Sequence, residues 1–445
     1  MLVLAIICLV SLAAWIYLVA AHGGFWLTGQ RLPRIPAGRI PAGRAPAGAS
    51  DVIAQSASAE APPAGAGTWP DVVAIVPARN EASILPETLG KLLAQDYPGR
   101  FRVVVVDDHS DDGTGEVAAG LGARAAADGG AGLTIVSAAT RPEGWAGKVW
   151  AMHQGFTSLE SAAAGSASRD WVGDGFVLFT DADIAWTSPG ALRALVAAAV
   201  ADDRQLVSQM VLLRAAATWE RVIVPAFVYF FAQLYPFRRS NDPRSATAAG
   251  AGGVMLIDRA ALVKAGGLEP IRGALIDDVS LATLLKTNGN RIWLGLTKDI
   301  TSARPYPGLA DLWHMVARSA YTQLRYNPAL LAGTIVGLLV LYAAPPAGAI
   351  AGLIVAATGS AATGTALAGT VLTGTVLAGA GGLAGWALMS ASYVPMLRYY
   401  GLSPLRAPSL PLIAVLYAAM TVDSARRHYS GRAVSWRGRA AERVG

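Results

Sequence analysis

The chain is long, apolar and weakly charged: it has 445 residues, of which 53% are hydrophobic and 15% are Asp, Glu, Lys or Arg. Soluble proteins carry about 25% charged residues, so this composition disfavours a wholly soluble protein and indicates that part of the chain lies in a bilayer. The formal net charge is +6, and basic residues cluster beside apolar segments, which favours membrane-flanking charge over a nucleic-acid surface. These residues are Arg31, Arg34, Arg39, Arg44, Arg426, Arg427, Arg432, Arg437 and Arg439.

The first predicted element is an apolar run over residues 2–21, which is long enough to span a bilayer. A cleaved signal peptide is the alternative, and it is disfavoured because basic residues follow the run and none precedes it. The positive-inside rule then predicts an N-terminus outside and a cytoplasmic continuation. The only cysteine, Cys8, lies in this run, so the sequence provides neither a disulfide framework nor a thiolate metal site.

Residues 23–70 are rich in Pro, Gly, Ala and Ser and include the near-repeat 35–44, so they are predicted to be a disordered linker. From residue 71, short apolar runs alternate with helical patterns, which predicts an α/β fold of βαβ units with a mostly parallel sheet. The runs are 72–76, 103–107, 133–136 and 176–180, and the helical patterns are 84–95, 113–122, 147–160 and 188–201. Ligand-binding residues are then expected on the loops that follow the strands.

Polar residues follow the first predicted strand, in Val76-Pro-Ala-Arg-Asn-Glu81. In an open α/β sheet a nucleotide lies at this edge, so Pro77, Arg79 and Glu81 are candidate nucleotide contacts. Further along, Gly147-Lys148 opens a helix, where a lysine can meet phosphate or a base carbonyl. The alternative for Lys148 is a solvated surface lysine.

The second predicted strand ends in Asp107 and Asp108, whose carboxylates can hydrogen-bond a base edge and ribose hydroxyls. Ser110 and Asp111 come next and can cap the following helix. We expect one of these two residues to be the cap, so only Asp107 and Asp108 are assigned to ligand.

A third set of carboxylates, Asp181 and Asp183, follows the apolar run 176–180. Two carboxylates at a strand end suit Mg²⁺ or Mn²⁺ bridging a diphosphate. A lone D-x-D also fits a strand end or a helix N-cap, but here it belongs to an ordered set of strand-end motifs, which favours the metal site.

Gly250-Ala-Gly-Gly253 is predicted to be a loop that lets the backbone approach a ligand closely, with Gly252 and Gly253 on the acceptor or diphosphate side. A strand is expected over 254–257. Asp277 and Asp278 then precede a helix. Helix capping is one interpretation of these carboxylates, and a general base that deprotonates an acceptor hydroxyl is the other.

Membrane-like segments return in the second half of the chain. Residues 219–237 hold four of the nine phenylalanines with two prolines, which favours an aromatic element at the membrane interface over a buried core helix. The apolar segments 329–344, 347–393 and 409–422 predict four C-terminal spans, or two, because an even number returns the basic tail to the cytoplasm.

Taken in order, these motifs resemble the family 2 glycosyltransferases of GT-A fold over about residues 71–326. The resemblance implies a nucleotide-sugar donor with Mg²⁺ or Mn²⁺ as cofactor. It also implies nucleotide roles for Arg79, Glu81, Asp108 and Lys148. Asp181 would lie against the ribose and diphosphate, Asp183 would bind the metal, and Asp278 would be the catalytic base beside Asp277.

Processive members of this family carry a Q-x-x-R-W motif near the first C-terminal span. This chain has Gln323-Leu-Arg-Tyr, with shorter spacing and Tyr in place of Trp, which favours transfer of a single sugar. Gln323 is retained as a candidate on the acceptor or diphosphate side. Arg318 or Arg325 can meet the leaving diphosphate, since a guanidinium matches phosphate oxygens.

Ile276-Asp-Asp-Val279, Trp313-His-Met-Val-Ala-Arg318 and Trp436-Arg-Gly-Arg439 are similar to segments of the hopene-associated glycosyltransferases. This resemblance implies a terpenoid acceptor, or at least a membrane lipid. The resemblance to family 2 favours a UDP-linked donor, and the protein is expected in the inner membrane. The expected domains are a span (1–22), the linker (23–70), a cytoplasmic GT-A domain (71–326), C-terminal spans (327–424) and a basic tail (425–445).

Transfer to a polyprenyl phosphate is an alternative within the same enzyme class. A nucleotidyltransferase would need a Gly-rich phosphate loop after the first strand, which residues 76–80 lack. A non-catalytic scaffold is disfavoured because every acidic position is present. A transporter would not explain residues 71–320, and its spans would be expected to carry charges.

Overall fold

The computed structural model describes residues 1–34, 69–165, 175–358, 366–430, 435–436 and 439–440. The near-repeat 35–44 and most of the predicted linker lie outside these residues, as do Arg432 and Arg437 of the basic tail. The described residues divide into two compact units. The helical unit comprises those within Met1–Gly29, Arg214–Arg239 and Pro305–Ser435, and the sheet unit comprises those within Gln30–Leu213, Ser240–Arg304 and Trp436–Gly445.

The sheet unit is built on an eight-stranded sheet whose strand order is β3-β2-β1-β4-β7-β6-β8-β5. The strands are β1 (Asp71–Ala78), β2 (Phe101–Asp107), β3 (Gly132–Ser137), β4 (Gly175–Phe179), β5 (Ile184–Ala185), β6 (Leu206–Leu212), β7 (Met255–Asp258) and β8 (Ile292–Ser302). Neighbours among β1 to β4 are parallel, as are β6 and β8, whereas β7 and β5 run antiparallel to their neighbours. The predicted mostly parallel α/β sheet is confirmed.

Alternating side chains of the central strands supply two hydrophobic layers, one on each face of the sheet. In β2, Val103 and Val105 belong to one buried cluster, and Val104 and Val106 belong to the other. This follows from the period of two in a strand, because a run of valines presents branched side chains to both faces. The helices are α2 (Leu85–Leu93), α3 (Thr114–Ala127), α4 (Gly147–Gly165), α5 (Ala191–Ala201), α8 (Arg259–Lys264) and α9 (Asp277–Thr287).

The helical unit contains four helices that are long and apolar enough to cross a membrane, counted over the described residues: Leu2–Ala21, Pro328–Thr358, Val371–Tyr399 and Pro404–Tyr429. Its helices are α1 (Leu2–Ala21), α6 (Thr218–Leu234), α10 (Leu309–Ala317), α11 (Ala320–Gln323), α12 (Pro328–Leu338), α13 (Ala344–Thr358), α14 (Ala366–Tyr399) and α15 (Leu410–Tyr429); α7 (Phe237–Asn241) joins the two units. The expected N-terminal helix and several C-terminal apolar helices are confirmed.

The sequence predicts four C-terminal spans, or two, whereas the described residues contain three C-terminal helices that are long and apolar enough to cross a membrane. The sequence places a break at Pro345, but the helix continues through it by way of a π-helical turn over Leu339–Ala343. Proline removes the hydrogen bond to the carbonyl four residues earlier. That carbonyl, on Leu341, instead accepts hydrogen bonds from Trp15 Nε1 at 2.8 Å and Ser11 Oγ at 3.4 Å. The cytoplasmic position of the basic tail stays a prediction.

Most of the aromatic segment 219–237 lies in α6, which ends at Leu234 and also runs through a proline, Pro225. The carbonyl of Arg221, which Pro225 leaves without its helical donor, accepts from Arg406 Nη1 at 3.5 Å. Tyr229 is buried, and its hydroxyl lies 2.6 Å from Ser392 Oγ of α14. The helix therefore packs within the helical unit, and its position at a membrane interface stays a prediction.

Small residues let the apolar helices of this unit approach closely. A Cβ added to Gly352 would lie 2.6 Å from Cα of Gly379, and one added to Gly348 would lie 2.6 Å from the carbonyl oxygen of Ala378. Such distances require backbone displacement, so these positions accept only glycine without rearrangement. This agrees with the expectation that the Gly-rich stretch packs helix against helix.

Candidate active site

The loop after β1 is joined to the loop after β2 by side-chain and backbone hydrogen bonds. Arg79 Nη1 donates to the carbonyls of Asp108 and His109, the latter at 3.2 Å. Asp108 is fully buried, and its Oδ2 lies 3.9 Å from Arg79 Nη1. The amide of Asn80 donates to Ser110 Oγ at 3.0 Å. The structure thus brings the predicted nucleotide contacts Arg79 and Asp108 together at one edge of the sheet.

Asp107 closes a turn at the end of β2, where its Oδ1 accepts from the amide of Ser110 at 2.9 Å. The prediction that Ser110 or Asp111 caps the next helix is wrong. Helix α3 begins at Thr114 after a left-handed Gly113 (φ 84°), and the carboxylate of Asp112 accepts from the amide of Thr114 at 3.1 Å. The left-handed glycine moves the helix start beyond the reach of Ser110, whose hydroxyl serves the neighbouring loop.

Pro77 lies buried in β1, opposite Val106 of β2. A proline cannot donate to a sheet ladder, so an interior strand rarely tolerates one. Here the pairing of β1 with β4 ends at Ile75 and Phe179, two residues before Pro77. The missing amide hydrogen of Pro77 therefore removes no hydrogen bond between β1 and β4. The two strands separate at the point where their following loops begin.

Lys148 lies in the first turn of α4 and binds two of the predicted carboxylates. Its Nζ is 2.8 Å from Asp181 Oδ1 and 3.0 Å from Asp277 Oδ2. Burial opposes the charge of Lys148, but Asp181, Asp277 and Asp278 outweigh it and raise the pKa of the ammonium group above its ordinary value. The lysine therefore stays charged and joins the loop after β4 to the start of α9.

Asp278 is held by backbone amides on both carboxylate oxygens. Oδ2 accepts from the amide of Gly252 at 2.9 Å, and Oδ1 accepts from the amide of Val279 at 2.8 Å. The N-cap of α9 is Ile276, without a side-chain cap, so neither Asp277 nor Asp278 is the helix N-cap. Burial first, and the charge of Asp277 second, raise the pKa of Asp278 to about 6, against the opposing charge of Lys148.

Gly252 shows why the Gly-rich loop needs glycine. Its φ is not in the left-handed region, so the requirement is space. A Cβ at this position would lie 3.0 Å from Lys148 Nζ and 3.6 Å from Asp278 Oδ2. Beside it, the carbonyl of Gly253 accepts from Thr180 Oγ1 at 2.7 Å, which fixes the loop to the end of β4.

Arg304 is a site residue that the sequence did not reveal. Its Nε lies 2.6 Å from Asp183 Oδ2, and its Nη2 lies 3.0 Å from Glu81 Oε1 and 3.1 Å from Oε2. The backbone places it there, because Ile184 of β5 pairs with Ser302 of β8 and the amide of Ala303 donates to the carbonyl of Asp183 at 2.9 Å. In the sequence, Arg304 is only a single arginine that follows the segment forming β8.

Asp181 and Asp183 provide carboxylate oxygens of the kind that Mg²⁺ and Mn²⁺ prefer. One oxygen of each is engaged, by Lys148 and by Arg304, and the other accepts no hydrogen bond from the described protein. Within the part of the chain that the structure describes, no three His, Cys, Asp or Glu side chains converge on one metal position. This donor set fits a cation that is bound jointly with substrate phosphates, as is usual for Mg²⁺.

Arg318, Gln323 and Arg325 belong to the helical unit. Arg318 and Arg325 are exposed, and Arg325 has a left-handed backbone (φ 51°). Gln323 Nε2 donates to the hydroxyl of Tyr235 within the same unit. Their predicted roles toward acceptor and diphosphate stay predictions.

Several solved structures are similar to this chain. A mannosyltransferase from Pyrobaculum calidifontis, in complex with GDP-Man and Mn²⁺, is 20% identical with a TM-score of 0.48, covering 94% of this chain and 99% of that chain. Glucosyl-3-phosphoglycerate synthase from Mycobacterium tuberculosis is 22% identical (57% and 79% covered, TM-score 0.34). Residues 1–349 of S. aureus TarS are 14% identical (82% and 93% covered, TM-score 0.35).

No curated protein matches the chain. Residues 70–320, more than half of the chain, match the family described as "Glycosyltransferase like family 2". This range begins just before β1 and extends beyond α9, so it includes every carboxylate of the site described above. The chain therefore belongs to the family 2 glycosyltransferases and is a glycosyltransferase of GT-A fold.

Proposed function

We propose that this glycosyltransferase is bound to the membrane and transfers one sugar, with inversion, from a UDP-linked donor to a lipid hydroxyl. The proposed acceptor is a terpenoid lipid of the hopanoid class. The observation that carries the proposal is the Asp278 carboxylate, which two backbone amides orient and whose pKa is raised toward neutrality. A group of this kind is suited to accept a proton at physiological pH.

In the proposed reaction, the acceptor oxygen attacks the anomeric carbon while the bond from that carbon to the diphosphate oxygen breaks. Asp278 takes the proton of the acceptor hydroxyl, and the nucleoside diphosphate leaves with the bonding electrons. Lys148 holds Asp181 beside Asp277, which orients the donor-side carboxylate next to the base. Arg79, Glu81, Asp107 and Asp108 are proposed to hold the nucleotide.

A divalent cation, when bound by Asp183 and Asp181, would supply Lewis-acid stabilisation of the leaving diphosphate. Both carboxylates lie on the loop after β4, at the carboxyl end of the parallel strands where ligands of open α/β sheets bind. Mg²⁺ and Mn²⁺ fit this oxygen donor set equally well.

The four long apolar helices support a membrane protein. We propose the inner membrane, with the sheet unit facing the cytoplasm, since Arg31 and Arg34 follow α1 and positive charge favours the cytoplasmic side. A lipid acceptor is consistent with such an anchored enzyme. Transfer to a polyprenyl phosphate is the second candidate, because the same donor site would serve either lipid.

The test is transfer from radiolabelled UDP-sugars into a lipid extract of the source membranes. Wild type is compared with Asp278→Asn and with a control, Asp128→Asn, which removes an exposed carboxylate at the end of α3. We expect label in a terpenoid lipid with wild type and the control, and a loss of about 10²–10⁴-fold with Asp278→Asn. Nucleotide binding by Asp278→Asn should be unchanged.

Appreciable transfer by Asp278→Asn would remove Asp278 as the base. Label in an isoprenoid-phosphate fraction would establish the second candidate instead. Asp183→Ala provides a separate test of the metal site: it should weaken metal-dependent nucleotide binding, and unchanged binding would contradict the metal role of Asp183.

A further inference from the structure

We propose that Arg304 is a positioning residue that acts as the resident counter-cation of Asp183. In the donor-free protein it neutralises Asp183 and Glu81, and it is exchanged for the divalent cation when the donor binds. Metal binding and donor binding are thereby coupled. This inference rests on the proposed function, since it concerns the same donor site.

The ion pairs that carry the proposal are short and mostly buried. Arg304 uses different nitrogens for its two partners, Nε for Asp183 at 2.6 Å and Nη2 for Glu81 at 3.0 and 3.1 Å. The exposed fractions of the side chains are 25% for Arg304, 17% for Asp183 and 10% for Glu81. One guanidinium thus serves two carboxylates in a partly desolvated place, where like and unlike charges interact strongly.

A divalent cation on Asp183 would meet a positive charge that already lies 2.6 Å from one oxygen of that carboxylate. The two cations repel each other, so either Arg304 leaves or the metal binds weakly. A donor changes this balance, because its diphosphate brings negative charge that a guanidinium fork matches well. Arg304 then has a new partner, and Asp183 becomes available to the metal.

Coupling of this kind is reciprocal: whatever factor the donor adds to metal affinity, the metal adds to donor affinity. Arginine suits the role better than lysine because its planar fork reaches two carboxylates in different directions. A lysine ammonium at the same position would be a single point charge on a flexible stem.

The backbone around Asp183 does not depend on the Arg304 side chain. The pairing of Ile184 with Ser302 and the hydrogen bond from the amide of Ala303 to the carbonyl of Asp183 hold the two segments together. Replacing the guanidinium should therefore change charge at the site while leaving the strands in place. This separation makes the proposal testable by binding alone.

The experiment measures Mn²⁺ binding by electron paramagnetic resonance, using the full chain in detergent, without nucleotide and with UDP or GDP. The variants are Arg304→Gln, Arg304→Lys and the control Arg100→Gln. Arg100 pairs with Asp71 at 2.6 Å, at the start of β1. Thermal unfolding of each variant shows that it is folded, and no step requires turnover.

In wild type we expect weak Mn²⁺ binding alone and binding about tenfold tighter with a nucleoside diphosphate, within the usual range of coupling between sites. Without nucleotide, Arg304→Gln should bind Mn²⁺ about tenfold more tightly than wild type. The nucleotide should increase the Mn²⁺ affinity of this variant less than it does in wild type. Arg304→Lys should lie between them, and Arg100→Gln should match wild type.

If Arg304→Gln binds Mn²⁺ no more tightly than wild type, while nucleotide still strengthens Mn²⁺ binding in wild type, the proposal for Arg304 is overturned and the donor site stands. If neither protein binds Mn²⁺ under any condition, the metal role of Asp183 fails, and the proposal for Arg304 fails with it. The proposed function is then still tested independently, by comparing label transfer to lipid between wild type and Asp278→Asn.

Discussion

The two units of this chain use glycine for different purposes. In the sheet unit, Gly252 leaves room for the charged end of Lys148, which a Cβ would approach to 3.0 Å. In the helical unit, Gly352 leaves room for backbone, since its Cβ would approach Cα of Gly379 to 2.6 Å. The neighbour can move in the first case and cannot in the second. The same residue therefore protects chemistry in one unit and packing in the other.

The two units also differ in where their charged side chains lie. The sheet unit concentrates carboxylates around Lys148 and Arg304 at the ends of its strands. In the helical unit, a charged cluster lies near the end of the long helix α15, where Asp423 accepts from Trp313 Nε1 at 2.9 Å and pairs with Arg427 at 2.7 Å. Substitutions in the first unit should change rates, and substitutions in the second should change stability.

The largest effect is expected from Lys148→Met, which removes the cation shared by three carboxylates. Asp181 and Asp277 lose their ion-pair partner and the proposed base Asp278 loses a nearby positive charge, so transfer should fall by about 10²-fold or more. The measurement is the initial rate of sugar transfer to lipid. Lys91→Met is the control, because Lys91 is an exposed lysine that pairs with Glu87 at 3.6 Å on α2. Equal rates for the two variants would remove Lys148 from the site.

Gly352→Ala should lower the free energy of unfolding by about 1–3 kcal/mol, because the added methyl group overpacks two backbones. Thermal unfolding in detergent measures this change. The control is Gly333→Ala on the same span, where an added Cβ meets nothing within 4 Å. Transfer per folded molecule should stay at the wild-type value in both. A similar loss of stability in both variants would contradict the close packing of Gly352 on Gly379.

Gly252→Ala is expected to have the opposite effect to Gly352→Ala: a lower transfer rate with nearly unchanged stability. The added methyl group displaces Lys148 Nζ, the far end of a flexible side chain, so the melting temperature should barely change. Transfer should fall about tenfold, because small displacements of site groups are costly to rate. Gly90→Ala on α2, where a Cβ meets nothing within 4 Å, is the control. A large fall in melting temperature without loss of rate would place Gly252 among the packing glycines.

The smallest effect is the pH dependence of wild type near neutrality. The raised pKa of Asp278, about 6, means that its base form is complete well above pH 6 and is lost as pH falls through that value. Transfer should rise only about twofold from pH 6 to pH 8 and fall about tenfold per unit at more acidic pH.

Asp277→Asn sharpens this prediction because it removes the neighbouring negative charge that helps to raise the pKa of Asp278. The acidic limb of the rate profile should move to lower pH. Lys148→Met removes an opposing positive charge, so its limb should move to higher pH. Profiles that do not move in opposite directions would show that Asp278 does not control the limb.

Most of the sheet was predictable, and so was the meeting of several candidate residues at one edge, because parallel strands bring their following loops to the same edge. The valine runs of β1 and β2 and the apolar run before Asp181 indicated three of these strands. Lys148 and Asp278 could then be named from their positions at helix starts. Lys148 contacts Asp181 and Asp277, and these contacts follow from the strand order rather than from any single motif.

Arg304 was not predictable, because its position depends on a pairing between two short segments far apart in the chain. β5 has only two residues, and its partner β8 carries Lys298 and Asp299 among its apolar residues. Neither has the pattern of a clear strand. The number of C-terminal apolar helices was hard to predict for a related reason: Pro345 is read as a helix break unless it is known that Trp15, 326 residues before Leu341, donates a hydrogen bond to the freed carbonyl of that residue.

The pairing of Arg304 with Glu81 also has a consequence for the order in which the protein is made. The two residues are 223 positions apart, and the ion pair forms only after the ribosome has produced β8. Contacts of such long range close late in folding. A nascent chain that ends before β8 therefore carries Glu81 and Asp183 without Arg304, and the proposed donor site gains its charge balance only when synthesis of the sheet is complete.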